Sequence, residues 1–137
     1  LFTAVHGQGA FLNGTRISVS NETSLIRCMM ATGFPYDIRT AKDTNLETFC
    51  RVILEVRAIR RSGCAALDLC YIASGRLDGY WVVKLAPWDV AAGALMVREA
   101  GGKVTDLDGG SNTWGPEGLA ASNGRIHEAL LKMLRRA

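Results

Sequence analysis

Ala86-Pro87-Trp88-Asp89-Val90-Ala91-Ala92-Gly93 marks a change from extended chain to helix. Pro87 disfavours helix in the residue before it, and Val90, Ala94 and Val97 then recur at i, i+4 and i+7. A helix is therefore expected to begin near Asp89. A carboxylate there can accept backbone N–H bonds and meets the positive end of the helix dipole. On local chemistry alone Asp89 reads as a structural N-cap, with a ligand or catalytic role as the alternative.

Upstream, Ser62-Gly63-Cys64-Ala65-Ala66 opens another helix, with Ser62 as its cap and Ala66, Cys70 and Ala73 on one face. Small residues at its mouth leave backbone N–H groups open to an anion, but on spacing alone close helix packing is the preferred reading. Gly75-Arg76 ends that helix, and Leu77 to Val83 reads as a strand interrupted by Asp78-Gly79. Thr44 with Glu47 makes a capping box, and Leu46, Phe49, Cys50, Ile53 and Leu54 follow at helical spacing, so an amphipathic helix is expected to reach about Val56. A short strand is read at Ala58-Ile59-Arg60. Arg57, Arg60 and Arg61 are taken as a solvated face in preference to a phosphate clamp. Leu25 to Thr32 fits a strand, although its Cys28-Met29-Met30-Ala31 core is equally tolerable in a helix.

The first 20 residues read as strands, with Asn13-Gly14 between two alternating runs as a hairpin turn. Gly7-Gln8-Gly9 is not a dinucleotide loop, because Leu12 occupies the third glycine position and a hairpin follows where a helix is required. Downstream of Asp89, Gly101-Gly102 stops the helix and Lys103-Val104-Thr105 begins a strand. Asp106, Asp108 and Glu117 match three positions of a calcium loop, yet Ser111 stands where that loop needs glycine, so a turn is expected. Leu119 to Ser122 is a last strand, and Ile126, Ala129, Leu130, Met133 and Leu134 form a closing helix. His6 and His127 have no visible ligand partner and are read as surface or loop residues.

The composition suits a core-forming domain: 137 residues, 48% hydrophobic and 21% charged. Alternating strands and helices behind an antiparallel hairpin predict a layered α/β sandwich with a mixed sheet, in a single domain over residues 1–137. No run reaches the length of a membrane span, and the start lacks the pattern of a signal peptide. The net charge of +3 is spread along the chain, which argues against nucleic acid and suits an anionic small molecule. Cys28, Cys50, Cys64 and Cys70 lack CxxC spacing and are read as reduced packing residues of a cytoplasmic protein. A chain opening on Leu1-Phe2-Thr3-Ala4-Val5, already inside a strand and without Met, reads as cut from something longer.

Three stretches together resemble the inositol monophosphatase family of Mg²⁺-dependent sugar and inositol phosphatases. They are Gly9-Ala10-Phe11-Leu12-Asn13-Gly14 with Ile17-Ser18-Val19-Ser20, then Ser62-Gly63-Cys64-Ala65-Ala66, and above all Pro87-Trp88-Asp89-Val90-Ala91-Ala92-Gly93 followed by Glu99-Ala100-Gly101-Gly102. The resemblance implies the C-terminal half of that fold, which is shared with fructose-1,6-bisphosphatases. It implies that Asp89 is a Mg²⁺ ligand touching the substrate, and that Gly63, Cys64 and Ala65 lie beside a small phosphate ester. Hydrolysis would be metal-assisted, with in-line phosphoryl transfer. The family's Asp-Pro-(Ile/Leu)-Asp-Gly-Thr metal segment and its upstream Glu are absent, so the chain by itself is expected to be inactive. Val82 stands where inositol-specific members carry a Glu that bonds a ring hydroxyl, which argues against inositol as the substrate. A half-domain would also expose an apolar edge, so a homodimer is expected. The competing class is a catalytically inactive member acting as a binding or assembly module, in which Asp89 only caps its helix.

Overall fold

The Asn13-Gly14 turn closes as expected, both residues at positive φ (50° and 80°), which matches the twist of a two-residue hairpin. Strands Phe2–Val5 (β1), Gly9–Leu12 (β2) and Thr15–Ile17 (β3) pair antiparallel in that order. The computed structural model describes residues 1–113 and 117–135. Leu25–Arg27 is a single 3₁₀ turn, so the strand expected from Leu25 is confined to Met29–Thr32 (β4). Helix Leu46–Val52 (α1), strand Ala58–Arg60 (β5), helix Ala65–Ala73 (α2) and strand Gly79–Val82 (β6) follow. Helix Pro87–Glu99 (α3), strands Lys103–Thr105 (β7) and Leu119–Ser122 (β8) and helix His127–Leu134 (α4) complete the chain.

The second sheet runs β5-β4-β6-β8-β7 and is mixed. β5, β4 and β6 are parallel, whereas β8 is antiparallel to both β6 and β7. All four residues of β6 are buried, as a strand covered on both faces must be. Its alternation sorts the core: Tyr80 and Val82 face Leu69 and Ile72 of α2 and Val90, Ala94 and Val97 of α3. Trp81 faces the other way, among Val52 of α1 and Leu130 and Leu131 of α4. The β1–β3 sheet packs through Ala10 and Ile17 onto the α3 side. The order is helices, sheet, helices, sheet, which is the layered α/β sandwich with a mixed sheet.

Several local expectations are corrected. α1 ends at Val52 instead of Val56, because the chain turns through Glu55 N–H to Val52 O (3.0 Å) to reach β5; Ile53 and Leu54 are exposed. The Thr44–Glu47 box does not form: Asn45 is the N-cap, and Glu47 pairs with Arg51 at 2.9 Å. In α2 the buried face is Asp68, Leu69, Ile72 and Ala73; of the expected face Ala73 is buried, whereas Ala66 is exposed and Cys70 only half-buried, and Cys64 is the N-cap instead of Ser62. His127 is fully buried, not a surface residue. Of the cysteines, Cys28 is buried, but Cys50 and Cys64 are exposed. Asp106 caps its own turn, accepting N–H bonds from Asp108 (3.0 Å) and Gly110 (2.7 Å), so the expected turn forms.

α2 and α3 pack closely, and the contact is set by a missing side chain. A Cβ on Gly93 would lie 2.6 Å from the Leu69 Cβ. Gly93→Ala is therefore expected to cost about 1–3 kcal/mol despite Ala's higher helix propensity, measured as a shift in urea midpoint at unchanged m.

Candidate functional site

Asp89 sits in the first turn of α3, not at its cap. Ala86 is the N-cap and Pro87 takes the first helical position, where its missing N–H is no loss and its φ suits the helix. The Asp89 N–H already bonds Ala86 O at 3.0 Å. Its half-buried carboxylate has no hydrogen bond or ion pair with any described side chain or amide. The local capping role is thus removed, and an acid group is left facing a cavity.

That cavity, of about 230 Å³, lies at the carboxyl ends of the parallel strands. Gly33 to Tyr36 leave β4, Arg61 leaves β5, and Val82, Lys84 and Leu85 leave β6. This is where parallel α/β sheets form crevices, because the helices that follow the strands point their N-termini there. Gly63, Cys64 and Ala65, at the mouth of α2, line the same cavity as Asp89. Gly63 holds φ +84°, and a Cβ there would meet only open space, so the position is set by backbone conformation and not by packing. The first-turn amides of α2 lack intrahelical acceptors by construction. The Cys64 N–H is partly used, since it donates to Ser62 Oγ at 3.2 Å.

Asp68, Lys84 and Tyr80 also line the cavity without having been picked out from sequence, and Arg61, read there as part of a solvated face, stands at its rim. Asp68 is buried in the wall, and the Ser62 hydroxyl donates to its Oδ1 at 2.8 Å. Burial pushes its carboxyl up, and the Ser62 bond opposes that shift. A lone Asp inside Ala65-Ala66-Leu67-Asp68-Leu69-Cys70 was the available signal, since a charge amid apolar neighbours needs a reason to be there. Arg61 and Lys84 bring positive charge to the rim. Lys84 holds φ 55°, uncommon for a residue with a side chain, and its ammonium pairs with Asp37 at 3.2 Å. Tyr80 and Val82 form an apolar floor, and burial pushes the Tyr80 phenol well up.

The donor chemistry suits a hard divalent cation but the donor number does not. Mg²⁺ takes oxygen ligands and is commonly held by one or two carboxylates with waters and substrate phosphate. Asp89 is one such carboxylate, and Asp68 is a second acid in the wall whose Oδ1 accepts the Ser62 hydroxyl. Among the described residues no group of three or more His, Cys, Asp or Glu could hold a metal ion. These residues offer a ligand, not a complete site.

A mixed α/β sandwich with an acid and two helix mouths in a crevice at the carboxyl edge of its parallel strands defines the class of protein as α/β, with its candidate site where such sheets form crevices. The model of the inositol monophosphatase family matches residues 1–137, and the chain belongs to that family. It is 44% identical over 135 residues to the Nus factor SuhB of Escherichia coli K12, covering 98% of this chain and 51% of that protein. It is 41% identical over 136 residues to the inositol-1-monophosphatase of Mesorhizobium japonicum, covering 99% and 51%. The solved inositol monophosphatase of Anabaena sp. PCC 7120 superposes with a TM-score of 0.94 at 42% identity, over 97% of this chain and 53% of that one. The chain spans about half the length of the relatives it matches. Among the described residues no helix is long and apolar enough to cross a membrane.

Proposed function

We propose that this chain forms one wall of the active site of a Mg²⁺-dependent phosphomonoesterase. Its substrate is a small phosphate ester of a polyol, sugar or related molecule, and it works only within a full-length family protein. Asp89 presents one carboxylate to Mg²⁺ whose other ligands lie outside these residues. Gly63, Cys64 and Ala65 receive the oxyanion at the α2 mouth, where first-turn amides and the helix dipole favour negative charge. Arg61 and Lys84 balance the charge of the ester as it enters. Asp89 itself also touches the substrate. The observation carrying this reading is that a half-buried Asp89, without a hydrogen-bond or ion-pair partner among the described residues, shares a cavity with the Gly63–Ala65 mouth in a chain of this family.

The test is phosphate release from inositol, sugar and bisphosphonucleotide monoesters with Mg²⁺, for the 137-residue chain and for a full-length protein containing it. The full-length protein is expected to release phosphate and the chain alone to stay at background. Turnover by the chain alone overturns the divided site. No turnover by the full-length protein leaves the competing reading, a binding or assembly module.

A further inference from the structure

The wall Gly33-Phe34-Pro35-Tyr36 belongs to the long connection between β4 and α1, and such a connection has few means of holding one shape. Its inner end is fixed by one side chain. Asn45, the N-cap of α1 at φ 64°, does not cap with its amide; the side chain turns away from the helix and into the protein. Its Nδ2 donates to Gly33 O at 2.7 Å and to Thr32 Oγ1 at 2.9 Å. Its Oδ1 accepts from the buried Trp81 Nε1 at 2.7 Å. Because the indole N–H only donates, the amide has one possible orientation. Thr32 Oγ1 in turn donates to Trp81 O at 2.8 Å, closing a ring of hydrogen bonds between β4, β6 and the start of α1.

We infer that Asn45 is a positioning residue of the candidate site: it touches no cavity surface but holds Gly33, and through it the Gly33–Tyr36 wall, at a set distance from the α2 mouth. Both amide hydrogens and the carbonyl oxygen are used on partners nearly out of water, so the network is satisfied and specifies one arrangement. The Phe34 ring rests on Phe49 of α1 with centroids 5.7 Å apart, which gives the wall a second, apolar support beside the Asn45 bonds, and the exposed Lys84–Asp37 pair (3.2 Å) lies just beyond Tyr36. Left-handed backbone at Asn45 is tolerated by Asn and Asp, so the helix start and the side-chain network depend on the same residue.

This inference rests on the phosphatase reading for its kinetic part only. Asn45→Asp keeps the left-handed backbone and the acceptor for Trp81 but places a carboxylate against the Gly33 carbonyl. Asn45→Gly keeps the backbone and removes the whole side chain. In the full-length protein, both variants are expected to raise amide exchange in residues 33–38 by about tenfold or more while β4 and β6 stay protected. KM for the phosphate ester should rise more than kcat falls, since a misplaced wall weakens binding ahead of the chemistry. Unchanged exchange in 33–38, or protection lost evenly across β4 and β6, overturns the positioning role. If the parent protein releases no phosphate, the phosphatase reading fails, and the exchange result decides the role of Asn45 by itself.

Discussion

Asp89→Asn in a full-length protein containing this chain is expected to lower phosphate release by about 10²-fold or more, on the scale of the several kcal/mol that metal-assisted charge stabilisation supplies. The same substitution should change folding stability by less than about 1 kcal/mol, the loss of a first-turn charge from the helix dipole. The two effects separate because Ala86 caps α3, and the Asp89 carboxylate bonds nothing among the described residues. Steady-state phosphate release and urea unfolding of the same preparations make the comparison. A variant with parental turnover removes Asp89 from the site. A variant that loses about 1 kcal/mol or more with no effect on binding or turnover restores the capping role that the fold argues against.

Acidification below neutrality should destabilise the fold through His127. Its Nδ1 lies 2.9 Å from Ser122 Oγ and its Nε2 lies 3.0 Å from Thr105 Oγ1. Thr105 donates its own hydroxyl to Asp106 O at 2.7 Å, and Ser122 Oγ accepts the Gly124 N–H at 3.0 Å. Thr105 oxygen is therefore left to accept from Nε2–H, and the Ser122 hydroxyl donates to a bare Nδ1, so the neutral ring is the one the site fits. Burial first, and the nearby Lys103 ammonium second, bring the imidazole down to about 4 from 6.5, against a smaller opposing pull from Glu128. The unfolded chain binds the proton near pH 6.5 and the folded chain only near pH 4, so stability is full above the upper value and falls across that window. The loss should reach about 2 kcal/mol by pH 5 and about 3 kcal/mol below pH 4. Urea midpoints at stepped pH would show it. His127→Phe, less stable at neutral pH, should lose the slope between pH 6.5 and 5; an equal slope in the variant would assign it to other groups.

What the sequence alone makes legible is whatever has a local cause. Asn13-Gly14 demands a tight hairpin, Gly101-Gly102 stops a helix, and the spacing of Val90, Ala94 and Val97 chooses the buried face of α3. Family membership is legible because the stretches around Gly63 and Asp89 are short contiguous motifs. Errors arose where a distant partner decided the outcome. Thr44 and Glu47 spell a capping box, yet Asn45 is held from outside by Trp81 and Gly33. His127 looked solitary because Thr105 and Ser122 reach it only after β7 and β8 pair. Asp68 is not marked as a site residue by its own stretch of chain, because its cavity is made by strands that are far apart in sequence.

By itself, then, the sequence determined the class of fold, the hairpin, the helix starts to within a turn and the family to which the chain belongs. Each of these follows from residue spacing or from a contiguous motif. Only the tertiary structure decided that Asp89 is not a cap, and that its cavity stands where β4, β5 and β6 end together. Parallel strands are joined through long crossovers, so which strand ends meet is set by sheet order, and sheet order is written nowhere in a local stretch of chain.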